Sequence, residues 1–303
     1  MQKNKIIVAT RPSKLAYNQS LQTIRLLKIF NPNTEFTLKK FSTKGDDDLG
    51  KPLTAFWGTG IFVKELEQAL LNGQADMAIH SMKDVPANKQ TENLIFCSFP
   101  EREDPRDVFL TSYQGFKKKI IVGTGSPRRK LQIAQIHKNA TFQDIRGNID
   151  TRIRKLENNK YDAIILAAAG LNRLNIKYNK NELLSIKQCL PAVGQGTIGI
   201  QCRENDNEVI KIAKKINHIP TEKTIMAERI FLEYVRGGCK FPIAGYAYIE
   251  KYDIILETLI GDLKTYKYVR KKEKFPANFC KNEINKFAKK LLRKAKKQDI
   301  YIC

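Results

Sequence analysis

The sequence predicts an α/β chain: two β/α lobes with a cleft between them, followed by a smaller C-terminal α/β domain. Three observations predict it. Apolar strand-like runs alternate with helical periodicity from residue 5 to 84 and again from 119 to 174, the pattern of strands flanked by helices. Two turn-rich segments, Glu101 to Asp107 and Leu190 to Gly196, interrupt that series; the strand after the second is expected to return to the first lobe, so two crossings join the lobes. The last third reads as a helix, three strand-like runs and a final amphipathic helix. The expected division is residues 1–99 with 197–217 for the first lobe, 100–196 for the second, and 218–303 for the C-terminal domain.

In the first lobe, Lys5 to Thr10 is a strand. Arg11-Pro12-Ser13 is a turn, and Ser13 is placed to cap a helix running to about Phe30. Glu35 to Phe41 alternates like a strand, and the polar, glycine-containing stretch from Ser42 to Gly60 reads as a mobile lid. Ile61 to Asn72 is a helix with Phe62, Leu66, Ala69 and Leu70 on its apolar face, stopped by Gly73. Asp76 to Ile79 is a buried strand that delivers His80, Lys83 and Asp84 to its mouth, where open α/β sheets place ligands. Val85-Pro86 ends regular structure there, because the residue before a proline is pushed out of the helical region. The β-α-β-α-β order argues for a parallel-type sheet, and Leu94 to Phe99 adds a strand.

The second lobe repeats the plan. Lys119 to Val122 is a strand, Gly123-Thr124-Gly125 a turn, and Ser126-Pro127 a good N-cap and first residue for a helix to about His137. Thr141 to Ile145 is a strand leading to Arg146-Gly147-Asn148 and a helix carrying Arg152 and Arg154. Tyr161 to Leu166 is a strand running into a turn before Arg173. After the return strand Thr197 to Cys202, Thr221 to Arg236 is a helix ended by Gly237-Gly238. The strands Phe241 to Ile249, Asp253 to Ile260 and Thr265 to Arg270 follow, then a helix with Ile284, Phe287, Ala288, Leu291, Leu292 and Ala295 at helical spacing.

The net charge is +23, which suits nucleic acid, an anionic membrane or acidic small molecules. Much of it is lysine scattered over what read as solvated faces. No apolar run approaches the ~18–20 residues that span a bilayer, and no signal-peptide core is present, so a cytoplasmic location is expected. The six cysteines form no Cys-x-x-Cys pair and the three histidines are scattered, so neither a metal site nor a disulfide framework is expected. Cys97 and Cys202 lie in apolar runs and read as core filler.

Chemistry concentrates at the turns. Gly123 to Arg129 joins a strand-to-helix turn with free N–H groups, the hydroxyls of Thr124 and Ser126, and the planar forks of Arg128 and Arg129. Its glycines meet neither the dinucleotide fingerprint nor the P-loop pattern. Arg11, Arg146, Arg152 and Arg173 also fall at turns or helix starts, and so many arginines at one set of edges point to a poly-anion site. The stacking aromatics that a nucleic-acid site interleaves with its cations are absent from these turns. Cys239, behind Gly237-Gly238, reads either as an inert core thiol or as one that reacts once with a strong electrophile.

Taken together, His80-Ser81-Met82-Lys83-Asp84-Val85-Pro86, Glu101 to Asp107, Arg146-Gly147-Asn148, Leu190 to Gly196 and Gly237-Gly238-Cys239-Lys240-Phe241-Pro242 resemble the porphobilinogen deaminase (hydroxymethylbilane synthase) family in order and spacing. The resemblance implies two lobes like periplasmic binding proteins and an enzyme that joins four porphobilinogens head to tail, releases ammonia and yields hydroxymethylbilane. It implies a dipyrromethane cofactor held by a thioether to Cys239, with Asp84 as the catalytic carboxylate. It places carboxylate contacts on Arg11, Ser13, Lys83, Thr124, Ser126, Arg128, Arg129, Arg146, Arg152 and Arg173. It implies a monomer acting on a small molecule, without nucleic acid or membrane. The lid lysines common in the family near Ala55 and Thr59 are missing, and Gly125 and Pro127 replace a serine and a larger apolar residue. Two other readings stand beside it: a non-catalytic two-lobed receptor for a small anion, which leaves Cys239 unexplained, and a basic nucleic-acid binder, which explains only the charge.

Overall fold

The structure is a computed structural model that describes residues 4–42, 63–87, 91–112, 118–235 and 241–300. The first sheet has the order β2-β1-β3-β9-β4, from β1 (Lys5–Thr10), β2 (Glu35–Lys40), β3 (Met77–Ser81), β4 (Leu94–Ser98) and β9 (Ile198–Arg203). Side chains alternate across it, as the strand period requires. Ile6, Val8, Met77 and Ile79 pack with Ile24 and Leu27 of helix α1 (Lys14–Phe30) and with Val209 and Ile212 of helix α6 (Asn207–Lys214). Ala9 and Ala78 pack on the other face with Leu66, Ala69 and Leu70 of α2 (Lys64–Leu71). The α6 helix was not expected from the sequence. The lid stretch falls almost wholly outside the described residues, as do Phe62, Ala55 and Thr59.

The second sheet has the order β5-β8-β6-β7, from β5 (Asp107–Thr111), β6 (Ile120–Gly123), β7 (Ala140–Gln143) and β8 (Ala163–Ala167). Its faces are covered by Ile133 of α3 (Pro127–Ile136) on one side, and by Leu156 of α4 (Ile149–Glu157) and Leu171 of α5 (Ala168–Arg173) on the other. Both sheets are mixed rather than wholly parallel. The strands that enter or leave a lobe by a crossing pair antiparallel: β9 with β3 and β4, and β5 with β8. A crossing returns the chain from the other lobe, so its strand is not bound by the parallel direction of a local β-α-β unit.

The C-terminal domain packs α7 (Ile219–Tyr234) and α8 (Lys281–Lys296) on a meander of β10 (Ile243–Glu250), β11 (Asp253–Gly261) and β12 (Tyr268–Pro276). The third strand lies farther along the chain than Thr265 to Arg270. Pairing β12 against the whole of β11, from Asp253↔Pro276 to Gly261↔Tyr268, overrides the local apolar signal. The meander's other face meets the second lobe through Leu131, Leu190, Ala244 and Leu259.

The two crossings run side by side. Glu103 N donates to Gly196 O, and the Gln195 side chain donates to Pro105 O at 2.7 Å. Glu228 of α7, fully buried, ties them to the third domain. It accepts from both terminal nitrogens of Arg102, from Gly194 N at 2.7 Å and from Ala247 N at 2.8 Å. Four donors satisfy a buried carboxylate that would be costly if left unpaired.

Candidate active site

Asp84 ends a short 3-10 turn, Met82–Asp84, at the C-terminal end of β3. His80 belongs to the strand rather than to its mouth, because β3 continues in register with β9 as far as Ser81↔Ile198. Strand pairing buries His80 edge-on to Phe96, and burial lowers its pKa to about 4, so the imidazole is neutral. Lys83 and Asp84 are left at the mouth, Lys83 half-buried and Asp84 exposed. The second crossing backs this turn. Met82 N donates to Thr197 O, and a Cβ on Gly194 would lie 2.9 Å from the carbonyl carbon of Met82.

Helix starts stand near this turn in both lobes, α1 in the first and α3 in the second. Ser13 caps α1 by accepting from Ala16 N at 3.3 Å, and Ser126 caps α3 by accepting from Arg129 N. The Thr124 hydroxyl accepts from Ser126 N at 3.2 Å, so it helps to shape the turn. Arg152 is steadied by a 2.8 Å bond from Nε to Gly147 O. Arg173 donates from Nη2 to Gly196 O at 2.7 Å; it is the last residue of α5, not part of a turn.

Two connected compartments of one cleft, sharing Arg11, Ser13, Leu15, Lys83, Ala167 and Gly170, bring together most of the expected residues. Asp84 and Arg173 line one; Arg129 and Arg152 line the other. Thr124, Ser126, Arg128 and Arg146 line neither. Arg128 is buried, with Nη1 bonded to Asp107 Oδ2 at 2.7 Å and to Leu190 O at 2.8 Å. Arg129 is held by the same carboxylate but keeps an edge on the cleft.

The electrostatics favour an acidic guest. Burial brings Lys83 down to about 8 against the pull of Asp84, with Arg129 adding repulsion. Burial, together with Arg129 and Arg146, brings Arg152 down to about 10, and burial does the same to Arg173. Among the described lining residues these cations sit in a partly desolvated space and outnumber the carboxylates Asp84 and Asp150, so carboxylates entering the cleft stabilise them. Sequence reading assigned no role to Asp107. Burial pushes its carboxyl up, but Arg128 and Arg129 more than offset this and hold it well below the usual range. Its only local signal is a carboxylate opening the apolar run Val108-Phe109-Leu110. Cys239, with its two glycines, lies outside the described residues.

A family model described as porphobilinogen deaminase, dipyromethane cofactor binding domain, matches residues 6–211, and one described as porphobilinogen deaminase, C-terminal domain, matches 222–295. The chain is 46% identical over 263 residues to a porphobilinogen deaminase of Geobacillus sp. (strain WCH70), covering 85% of this chain and 84% of that one. It is 43% identical over 304 residues to that of Bacillus pumilus, covering 96% and 97%. Among solved structures, substrate binding domain 2 of GlnP from Lactococcus lactis is 10% identical with a TM-score of 0.42, over 71% of this chain and 88% of that one. The chain belongs to the porphobilinogen deaminase family.

Proposed function

We propose that Asp84 and the cations around it are the working parts of a hydroxymethylbilane synthase, with a dipyrromethane primer attached at Cys239. As a member of its family the chain is a transferase of tetrapyrrole biosynthesis: it joins four porphobilinogen molecules head to tail with release of ammonia. The observation that carries the residue assignments is the cleft, where Asp84 shares one lining with Arg11, Lys83 and Arg173, and Arg129 and Arg152 continue it.

The donor set fits the dipyromethane cofactor named for the matched domain. Each pyrrole unit carries an acetate and a propionate, so the group is a multiple carboxylate, and the cleft offers guanidinium and ammonium donors in excess. Arg129, Arg152 and Lys83 would hold those carboxylates; Arg11, Ser13 and Arg173 would receive those of the incoming substrate. When bound, the group supplies a tethered pyrrole end onto which substrate units are added. Thr124 and Ser126 shape the turn that presents Arg129, Arg128 holds the Asp107 carboxylate that also holds Arg129, and Arg146 adds positive field beside Arg152.

Asp84 acts on charge. Porphobilinogen that loses ammonia becomes a cation. A carboxylate held at the end of β3 would stabilise that charge and could accept the proton released. The enzyme works on this reading as a cytoplasmic monomer, without nucleic acid or membrane. Among the described residues no helix is long and apolar enough to cross a membrane.

Intact-mass spectrometry tests the assignment of Cys239. The protein as isolated should be heavier than its sequence by two linked pyrrole units, and brief exposure to porphobilinogen should add a ladder of one-unit steps. Cys239→Ser should have the bare sequence mass and no turnover. An unmodified but fully active wild type, or the same ladder in the serine variant, overturns it.

A further inference from the structure

Two thiols in the first lobe are placed for chemistry that tetrapyrrole assembly does not use. Cys97 of β4 and Cys202 of β9 are both free, and both belong to the apolar cluster between the first sheet and helices α1 and α6. Their sulfurs are 3.2 Å apart, closer than ordinary packing contact, with Cys202 Sγ directed at Cys97 Sγ and Cys97 Sγ at Ile200 O. The register explains the meeting. Ile95 pairs with Cys202 and Phe96 with Gln201, but Ser98 pairs with Ile200, so Cys97 is the extra residue of a bulge. A bulge yields more readily than a regular ladder, and disulfide formation needs about 1 Å of further closure between the sulfurs.

We propose that Cys97 and Cys202 form a modification site for peroxide-class oxidants, which convert the pair into a reversible disulfide. One sulfur attacks the peroxide; the O–O bond breaks, water leaves, and that sulfur becomes a sulfenic acid. The second thiol attacks it; the S–S bond forms, the S–O bond breaks, and a second water leaves. The two thiols lose two protons and two electrons, and one hydrogen peroxide takes them up to become two waters. A single S–H···S hydrogen bond, donated by Cys202 to Cys97, already sets the two sulfurs facing each other, so a sulfenic acid on either one lies within reach of the other thiol.

The position of the link gives it a consequence. The two residues are 105 positions apart, and the chain between them holds both crossings and every strand of the second lobe. A bond here makes the second lobe a closed excursion from the first, which restricts the unfolded chain over a long loop. The link lies in the first-lobe core, away from the cleft lining, so turnover is expected to persist.

The test uses the full chain as purified, reduced, freed of reductant, and treated with hydrogen peroxide. Remaining thiols are alkylated in urea and the digest is mapped. The expected result is one linked peptide pair containing Cys97 and Cys202, a chain lighter by two hydrogens, and reversal by dithiothreitol. In urea the oxidised form should show a roughly hundredfold smaller unfolded population at a given concentration than the reduced form. Cys97→Ala should give no linked pair, and mapping of the wild type decides the question even if that variant folds poorly. Alkylation of both thiols after oxidant, their conversion to sulfinic or sulfonic acid without a link, or a link that runs instead to the exposed Cys280 would each overturn the proposal.

Discussion

Asp107 Oδ1 accepts two hydrogen bonds from the Arg129 guanidinium, at 2.6 Å from Nη2 and 3.2 Å from Nε. The remaining nitrogen, Nη1, donates to Ile165 O at 2.9 Å, so the fork is locked along one side while a side-chain edge still lines the cleft. The other oxygen of Asp107 holds Arg128, and Gln195 of the second crossing also reaches Oδ1 at 3.0 Å. One buried carboxylate therefore joins the second crossing to the start of α3.

Asp107→Asn should show this in two ways. It keeps the shape but leaves two buried guanidiniums without their counter-charge, a loss of about 3–5 kcal/mol in urea unfolding. Arg129 should also loosen, so less dipyrromethane should be carried per chain in intact-mass spectra. Wild-type stability with full loading would show that Asp107 positions nothing.

Gly196→Ala tests the contact between the two crossings. Gly196 has φ +88°, and a Cβ there would overlap Glu103 O, a backbone atom that cannot swing aside. Separation of the crossings also displaces the carbonyl that orients Arg173. The variant should lose about 2 kcal/mol or more of stability, and KM for porphobilinogen should rise beyond what reduced folding explains. Equal KM in the folded fraction would uncouple the crossings from Arg173.

Asp84→Ala should fold as the wild type does, since Asp84 is exposed and ends its element. Turnover should fall by the equivalent of about 3–4 kcal/mol of transition-state stabilisation, the usual loss for one preorganised charge partner. Asp84→Glu should keep residual activity. Steady-state rates on cofactor-loaded protein measure this, and near-normal turnover in the alanine variant would remove Asp84 from the chemistry.

His80 makes stability fall in mild acid. Its pKa is about 4 folded against 6.5 for the free side chain, because burial disfavours the imidazolium. Between those values the unfolded chain binds more protons, so stability rises with pH across this window and drains away as pH drops from 6.5 toward 4. The full span is on the order of 3 kcal/mol. Chemical denaturation at several pH values should show that slope in the wild type and a shallower one in His80→Gln; identical slopes would contradict it.

The sequence by itself determined what is local. Ser13 and Ser126 were legible as caps because a cap closes within three residues, and the bounds of α1 and α3 follow from them. The core face of α8 follows from its apolar spacing, and the burial of β3 from its short apolar run. Asp84 was legible as a carboxylate at a strand mouth, because Pro86 stops the chain from continuing in regular structure.

Only the tertiary structure decided which arginines face the cleft. Arg128 and Arg129 are neighbours with the same side chain, yet one lies inside the lobe and the other at its edge. The difference is made by Asp107, Leu190 and Ile165, which are 21 to 62 positions away. The same holds for Cys97 and Cys202, two unremarkable core residues until a bulge and a returning strand set their sulfurs side by side. The physical reason is range. Caps, turns and amphipathic faces arise from interactions within a few residues, whereas a guanidinium or a thiol takes its direction from partners that only the folded chain supplies.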